Sequence, residues 1–138
     1  MKQFLIFAAC IFLLASCKRG FEPIEYGKDA CAHCKMTIVD DRYAAEALTE
    51  KGRAYKFDDV LCMKQYVGSS LAGKNMLFVE DYRKGANTPL DAEKAIYLKH
   101  EFFNSPMNGD YAAFASEDEA KQFMDSLQIP ILRWGDIE

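Results

Sequence analysis

The stretch Asp29-Ala30-Cys31-Ala32-His33-Cys34-Lys35-Met36 concentrates metal-binding side chains within eight residues, and the rest of the chain is arranged around it. This sulfur loop, as residues 29–36 are called below, holds two thiols, an imidazole and a thioether. Thiolate and thioether sulfurs are soft donors that favour Cu(I), whereas zinc uses cysteine, histidine or carboxylate and gains little from methionine. The methionine two residues after the second cysteine therefore favours copper.

A Cys-x-x-Cys pair has other uses as well. In an oxidising compartment it commonly forms a structural or a redox disulfide. The pattern therefore leaves two alternatives open. One is an extracytoplasmic thiol–disulfide oxidoreductase, and the other is an interaction lipoprotein in which a Cys31–Cys34 disulfide only stabilises the fold. The oxidoreductase is disfavoured because the pair does not follow an apolar strand or open a helix, as a nucleophilic thiol of low pKa requires.

The N-terminal residues have the pattern of a cleaved export signal. An apolar run from Phe4 to Leu14 is too short for a permanent membrane span, and Leu14-Ala15-Ser16-Cys17 follows it. This ending resembles the lipobox of bacterial lipoproteins, which implies cleavage before Cys17 and lipid on that residue. We therefore predict a lipoprotein signal peptide over 1–16 and a lipidated tether over 17–28.

Charge excludes some partners. The chain of 138 residues has a net charge of −4, which becomes −5 when Lys2 leaves with the signal. Such a surface predicts no nucleic-acid partner, which would require a basic face. The sequence also shows no polybasic segment, so attachment to the lipid bilayer is expected to rest on acylated Cys17. The thiols left in the mature chain are Cys31, Cys34 and Cys62.

Apolar periodicity predicts the order strand, strand, helix, strand in each half of the chain. In the first half the predicted elements are strands at 42–50 and 53–57, a helix over 60–67 capped by Asp58 or Asp59, and a strand at 76–79. In the second half they are strands at 95–102 and 110–114, a helix opened by Ser116 and Glu119 as a capping box, and a closing strand at 131–134.

The two halves also align with each other. An offset of 57 residues places Phe57 on Phe114 and Lys64-Gln65-Tyr66 on Lys121-Gln122-Phe123. We therefore predict an α+β fold of two small tandem ββαβ repeats after the lipidated tether. The first unit, with the sulfur loop, is expected over 29–82 and the second over 83–138.

Three further residues could carry chemistry. Cys62 follows two aspartates, and a packed cysteine beside a helix cap is the favoured interpretation because free cysteines are mostly buried. Met107 lies in the turn 105–109, and a methionine in a polar turn has no core to join, which makes it a candidate ligand. His100 lies in a strand pattern and is predicted to be structural.

The ordered motifs of the chain resemble those of the NosL family, copper-delivery lipoproteins that accompany bacterial nitrous oxide reductase. The matching pieces are the lipobox, Asp29-x-Cys31-x-x-Cys34-x-Met36, Phe57-Asp58-Asp59-x-x-Cys62-Met63, Asp81-Tyr82, Pro106-Met107 and Ala113-Phe114. The resemblance has one departure: the family usually has glycine where this chain has Lys35. If that position needs a positive φ, lysine costs about 1–2 kcal/mol there.

The resemblance implies a fold of two ββαβ units and Cu(I) delivery in the periplasm. Its implied partners are nitrous oxide reductase and the membrane assembly complex of that enzyme. The expected location is the periplasmic face of a bacterial membrane, with a lipid anchor. We expect no enzymatic activity, since no acid–base pair, nucleophile triad or phosphate loop is visible, and a homodimer remains open.

The predicted copper ligands are ranked by geometry. In an extended loop Cys34 and Met36 point to the same side, whereas Cys31, an odd number of residues away, points to the other. A third donor must come from elsewhere, and Met107 is the methionine outside apolar runs and helix faces. We therefore predict Cys34, Met36 and Met107 as the ligands, with Cys31 and His33 as second choices.

Overall fold

The computed structural model describes residues 19–138, an α+β arrangement of two antiparallel sheets and two α-helices. In chain order the elements are β1 (Ala45–Thr49), β2 (Ala54–Phe57), α1 (Val60–Ser70), β3 (Asn75–Glu80), β4 (Pro89–Asp91), β5 (Ile96–Lys99), β6 (Tyr111–Phe114) and α2 (Glu117–Leu127). Within this range no helix is long and apolar enough to cross a membrane. The predicted signal peptide and Cys17 lie outside the described residues.

The larger sheet has the strand order β2-β1-β3-β4. The hairpin of β1 and β2 pairs Ala45 with Phe57 and turns at Gly52, whose φ is 82°. Side chains alternate between the two faces of a strand, so Ala45 and Ala47 share one face, where they join the core with Val60 and Met63 of α1. Helix α1 therefore covers this face of the sheet.

The opposite face is covered by residues 21–29, called the N-terminal arm below. The Phe21 ring meets Phe78 edge-on at 5.8 Å, and the Tyr26 hydroxyl donates to the Glu80 carboxylate at 2.8 Å. Ile24 of the arm is buried in the core. From Phe21 onward, therefore, the segment predicted as a tether is packed on the sheet, because it supplies the apolar cover that this face lacks.

The 57-residue offset recurs in part of the structure. Strand β2 and helix α1 have the same lengths and spacing as β6 and α2, and the cap residues Asp59 and Ser116 occupy equivalent positions. The prediction of a closing strand at 131–134 is wrong: a single bridge joins Leu132 to Tyr97. Pro130 and Trp134 flank this short stretch, and a 3₁₀ turn begins at Trp134, which leaves no room for a longer ladder.

Two other elements differ from the sequence prediction. The strand expected over 95–102 ends at Lys99, because His100 caps a 3₁₀ turn over Glu101–Phe103 by accepting the Phe102 amide. Strand β4 was not predicted at all. It adds to β3 at the sheet edge, where Pro89 is tolerated as the first residue of the strand.

Candidate metal centre

Three thiols and one carboxylate converge beside the C-terminal end of β2. The donor atoms of Cys31, Cys34, Asp58 and Cys62 all lie within 4.8 Å of one another. Cys31, Asp58 and Cys62 are buried, while Cys34 is half-buried, and all three cysteines are free thiols. The cluster is therefore closed to solvent at Cys31, Asp58 and Cys62 and has an open side at Cys34.

Backbone hydrogen bonds fix the sulfur loop against β2. The Ala32 amide donates to the Lys56 carbonyl, and the Cys31 amide donates to the Met36 carbonyl, each at 2.8 Å. The Lys35 amide donates back to the Cys31 carbonyl at 3.0 Å, which closes a turn. The loop is therefore not extended, and the expectation that Cys31 points away from Cys34 is wrong.

Lys35 adopts the left-handed backbone conformation with a φ of 68°. This conformation is the one for which glycine is favoured and for which other residues pay a steric cost. The Lys35 ammonium donates to the Ala32 carbonyl across the turn. The departure from glycine noted in the sequence thus falls where a positive φ is required.

Helix α1 supplies the other half of the cluster. Asp59 caps the helix by accepting the Leu61 amide at 2.7 Å, which confirms one of the two predicted caps. Asp58 then lies just outside the helix and Cys62 in its first turn. The Cys34 thiol donates to the Asp58 carboxylate at 3.4 Å, so the loop and the helix meet through this pair.

The three thiols differ in acidity because they hydrogen bond to one another. A hydrogen bond from the Cys62 thiol lowers the pKa of Cys31 to about 6 against the opposing effect of burial. The same bond, together with burial, raises the pKa of Cys62 well above its usual range. Burial raises the pKa of Cys34 to about 11. These hydrogen bonds therefore favour the thiolate, which is the form that binds soft metals, on Cys31 rather than on Cys34 or Cys62.

The turn that holds Met107 packs on the cap of α1. The Ser105 hydroxyl donates to the Asp59 carboxylate, and a Cβ on Gly109 would lie 2.8 Å from an oxygen of the same group. Burial raises the pKa of Asp59, and hydrogen bonds from Ser105 and from the Leu61 and Met107 amides oppose that rise. The half-buried Met107 is thus brought next to the residue that precedes the cluster helix.

Two further predicted ligands, Met36 and His33, have exposed side chains. The Met36 side chain is 52% exposed at the end of the sulfur loop. His33 is also exposed, with its ring 6.5 Å from that of Tyr66. His100 caps the 3₁₀ turn through its Nδ1 and contributes to local structure.

The sequence pattern alone did not identify Asp58 and Cys62 as part of the cluster. Asp58 was considered as a helix cap and Cys62 as a packed core residue, and Cys62 is indeed buried. The usable signal was the spacing Asp-x-x-x-Cys at the start of a helix, which places both side chains on one face. What the spacing could not provide is the contact between the sulfur loop and β2.

Comparisons with known proteins establish the fold and the family. The fold is similar to that of the copper chaperone NosL from Shewanella denitrificans, with a TM-score of 0.72 and 15% sequence identity. That match covers 86% of this chain and 96% of the other, and at such low identity it establishes the fold alone. A comparison with curated proteins gives no match. The model of the NosL family matches residues 24–138, which is most of the sequence, and the chain therefore belongs to the NosL family.

Proposed function

We propose that this protein is a carrier of Cu(I), anchored to the periplasmic face of a bacterial membrane through Cys17, which delivers copper to nitrous oxide reductase. The observation that carries the proposal is the convergence of three thiols and Asp58 at one half-open position. Membership of the NosL family and likeness to a copper chaperone support a non-enzymatic role. The lipobox supports the anchor.

The cluster has the donors that Cu(I) requires as cargo. Cys31 supplies the thiolate and Cys34 a second sulfur, with Cys62 behind them. Because Cys31 and Cys62 are buried, an incoming ligand from an acceptor reaches the ion from the side of Cys34 and Met36. Thioethers from Met36 and Met107, the two methionines predicted as ligands, would hold the ion during exchange without forming disulfides.

The test is a copper titration of the anaerobically purified, reduced protein against a competing Cu(I) chelator. We expect about one ion per chain, because the sulfur ligands form one cluster. Transfer is then measured by adding copper-free nitrous oxide reductase and following the appearance of its copper chromophores. A protein that binds no Cu(I), or binds it without any transfer to the reductase, would contradict the proposal.

A structural zinc site is the second candidate, and the four-donor set favours it specifically. Three cysteines and one carboxylate match the ligand number of a closed tetrahedral zinc site. Loading the reduced protein with equal amounts of Zn(II) and Cu(I) separates the two functions. Copper displaces zinc if the site is a carrier, whereas zinc retention with copper excluded would identify a structural centre.

The oxidoreductase alternative has less support from the geometry. An attacking thiol in such enzymes is exposed at a helix N-terminus. Cys31, the most acidic of the three thiols, is completely buried and precedes a turn rather than a helix. Reduction of a model disulfide at a rate that depends on Cys31 would nevertheless favour this alternative over the carrier.

A further inference from the structure

Four basic side chains meet at the end of the large sheet that is opposite the metal centre. They come from three separate parts of the chain: Arg19 before the arm, Lys51 and Arg53 in the β1–β2 turn, and Lys74 before β3. Two pockets lined by these residues share Thr49, Glu50 and Lys74, which places all four cations around one end of the sheet. This set is called the basic end below.

The cations of the basic end are exposed, and Glu50, the acidic residue that lines the same pockets, forms no ion pair with them. In the described part of the chain, none of the four lies within 4.0 Å of a carboxylate, whereas cations elsewhere, such as Lys28, Lys94 and Lys121, form ion pairs. Residues 1–18 contain no aspartate or glutamate that could neutralise them from outside this range. A protein with a net charge of −4 thus carries a local positive surface that the linear sequence did not reveal.

The chain enters the folded body at this same end. Arg19 and Phe21 line pockets with Leu48 and the neighbouring turn, and the N-terminal arm then runs away from it toward the sulfur loop. Cys17 precedes Phe21 by four residues, a length of chain that spans at most about 14 Å. A lipid on Cys17 would therefore hold the basic end within one short linker of the bilayer.

We propose that the basic end docks on the anionic phospholipid headgroups of the membrane and orients the metal centre away from the bilayer. Lipid phosphates supply the negatively charged partners that the four cations do not have within the protein. Met76, which is 44% exposed beside them, can enter the interface. Strand β2 joins the two ends: Arg53 just before it lies at the basic end and Phe57 lies beside the metal centre, a separation of about 13 Å. The copper ligands then face partners in the periplasm.

This inference rests on the lipid attachment of the proposed function, and fluorescence quenching tests it. The mature lipoprotein is reconstituted into vesicles of phosphatidylglycerol and brominated phosphatidylcholine, which quenches nearby tryptophan. The single tryptophan is first removed by Trp134→Phe. In that background one tryptophan probe is introduced, either as Met76→Trp at the basic end or as Val39→Trp at the metal end. We expect severalfold stronger quenching of the probe at position 76 than of the probe at position 39.

Charge reversal provides the matched comparison. The triple change Lys51→Glu, Arg53→Glu, Lys74→Glu is expected to abolish the difference between the two probes. Each cation near an anionic surface contributes about fivefold to the docked population, so the three together correspond to about a hundredfold. The control with the same change in net charge is Lys28→Glu, Lys94→Glu, Lys121→Glu, which should keep the difference. In vesicles of phosphatidylcholine alone, the difference in quenching between the two probes should disappear.

The outcomes separate the docking from the function on which it rests. An acylated protein in which both probes are quenched equally, or in which the control triple acts like the basic-end triple, would overturn the docking and leave the carrier function intact. Mass spectrometry that shows an unmodified Cys17 would overturn the anchor and the docking together. Copper titration of the basic-end triple should match the wild type, because the metal centre lies at the other end of the sheet.

Discussion

Replacing Lys35 by glycine tests whether the sulfur loop requires a left-handed residue. At the φ of 68° a side chain with a Cβ costs about 1–2 kcal/mol, which glycine avoids. Glycine also gives the unfolded chain more conformational freedom, which lowers the free energy of unfolding by about 0.5–1 kcal/mol. The exposed hydrogen bond from Lys35 to Ala32 is lost as well and contributes about 0.5 kcal/mol at most. The net gain for Lys35→Gly over wild type is therefore about 0.5 kcal/mol.

Lys35→Ala isolates the backbone contribution. Both variants lack the ammonium group, so their difference in free energy of unfolding reports the cost of a Cβ at this φ, less the freedom that glycine adds to the unfolded chain. We expect the glycine variant to be more stable than the alanine variant by about 0.5–1 kcal/mol, or about 2–5 °C in the midpoint of thermal unfolding. The measurement uses urea and thermal unfolding of the reduced, metal-free protein.

Gln128→Gly is the positive control for this comparison. Gln128 has a φ of 53° at the C-terminal end of α2, a position where glycine is the preferred residue. It should stabilise the protein whatever the sulfur loop does. Equal stability of Lys35→Gly and Lys35→Ala, while Gln128→Gly stabilises as expected, would refute the reasoning about the loop.

Three further predictions concern the metal centre, a buried acid and the cap of α1. Cys31→Ser and Cys34→Ser should each weaken Cu(I) binding by about a hundredfold or more in the chelator titration, since each removes a thiol from one cluster; a silent Cys31→Ser would restore the ligand set of Cys34, Met36 and Met107. Burial raises the pKa of Glu46 to about 7, so the folded state holds a proton that the unfolded state releases, and stability should fall as pH rises from about 4.5 to 7. Glu46→Gln should make the free energy of unfolding less dependent on pH, which urea unfolding at several pH values measures. An unchanged pH profile would show that Glu46 is not the group responsible. Asp59→Ala should cost about 2 kcal/mol, because the cap of α1 and the partner of Ser105 are both lost, whereas Asp59→Asn should cost less; equal losses in urea unfolding would argue against the cap.

Local sequence signals predicted the parts of the fold that depend on neighbouring residues. The two helices begin at Val60 and Glu117 because Asp59 and Ser116 can accept free amides, and such caps are visible in the sequence. Strands β2 and β6 have four residues each and end at a buried phenylalanine. These elements follow from period and cap chemistry alone.

The parts that were missed depend on contacts between distant segments. Strand β4 has three residues and exists because β3 offers a free edge. The N-terminal arm lacks a strand pattern, and its position follows from the exposed face of the sheet. The sulfur loop was predicted to bind a metal, and two of its thiols do lie in the candidate metal centre, but the orientation of the loop was not predicted. The turn at Lys35, which brings Cys31 and Cys34 together, depends on a backbone conformation that lysine rarely adopts.

The N-terminal arm also determines how mechanical load would travel through the molecule. Its contacts follow one another along the chain, before the chain reaches Cys31. The amides of Glu22 and Ile24 donate to the side-chain oxygens of Glu46 and Asn87, and the Tyr26 hydroxyl donates to the Glu80 carboxylate. A pull on the N-terminal end must therefore peel these bonds from the sheet in succession before any force acts on a thiol. If the proposed lipid anchor transmitted a pull from the membrane, the bonds between the arm and the sheet would carry that load, and the metal centre would remain unstrained.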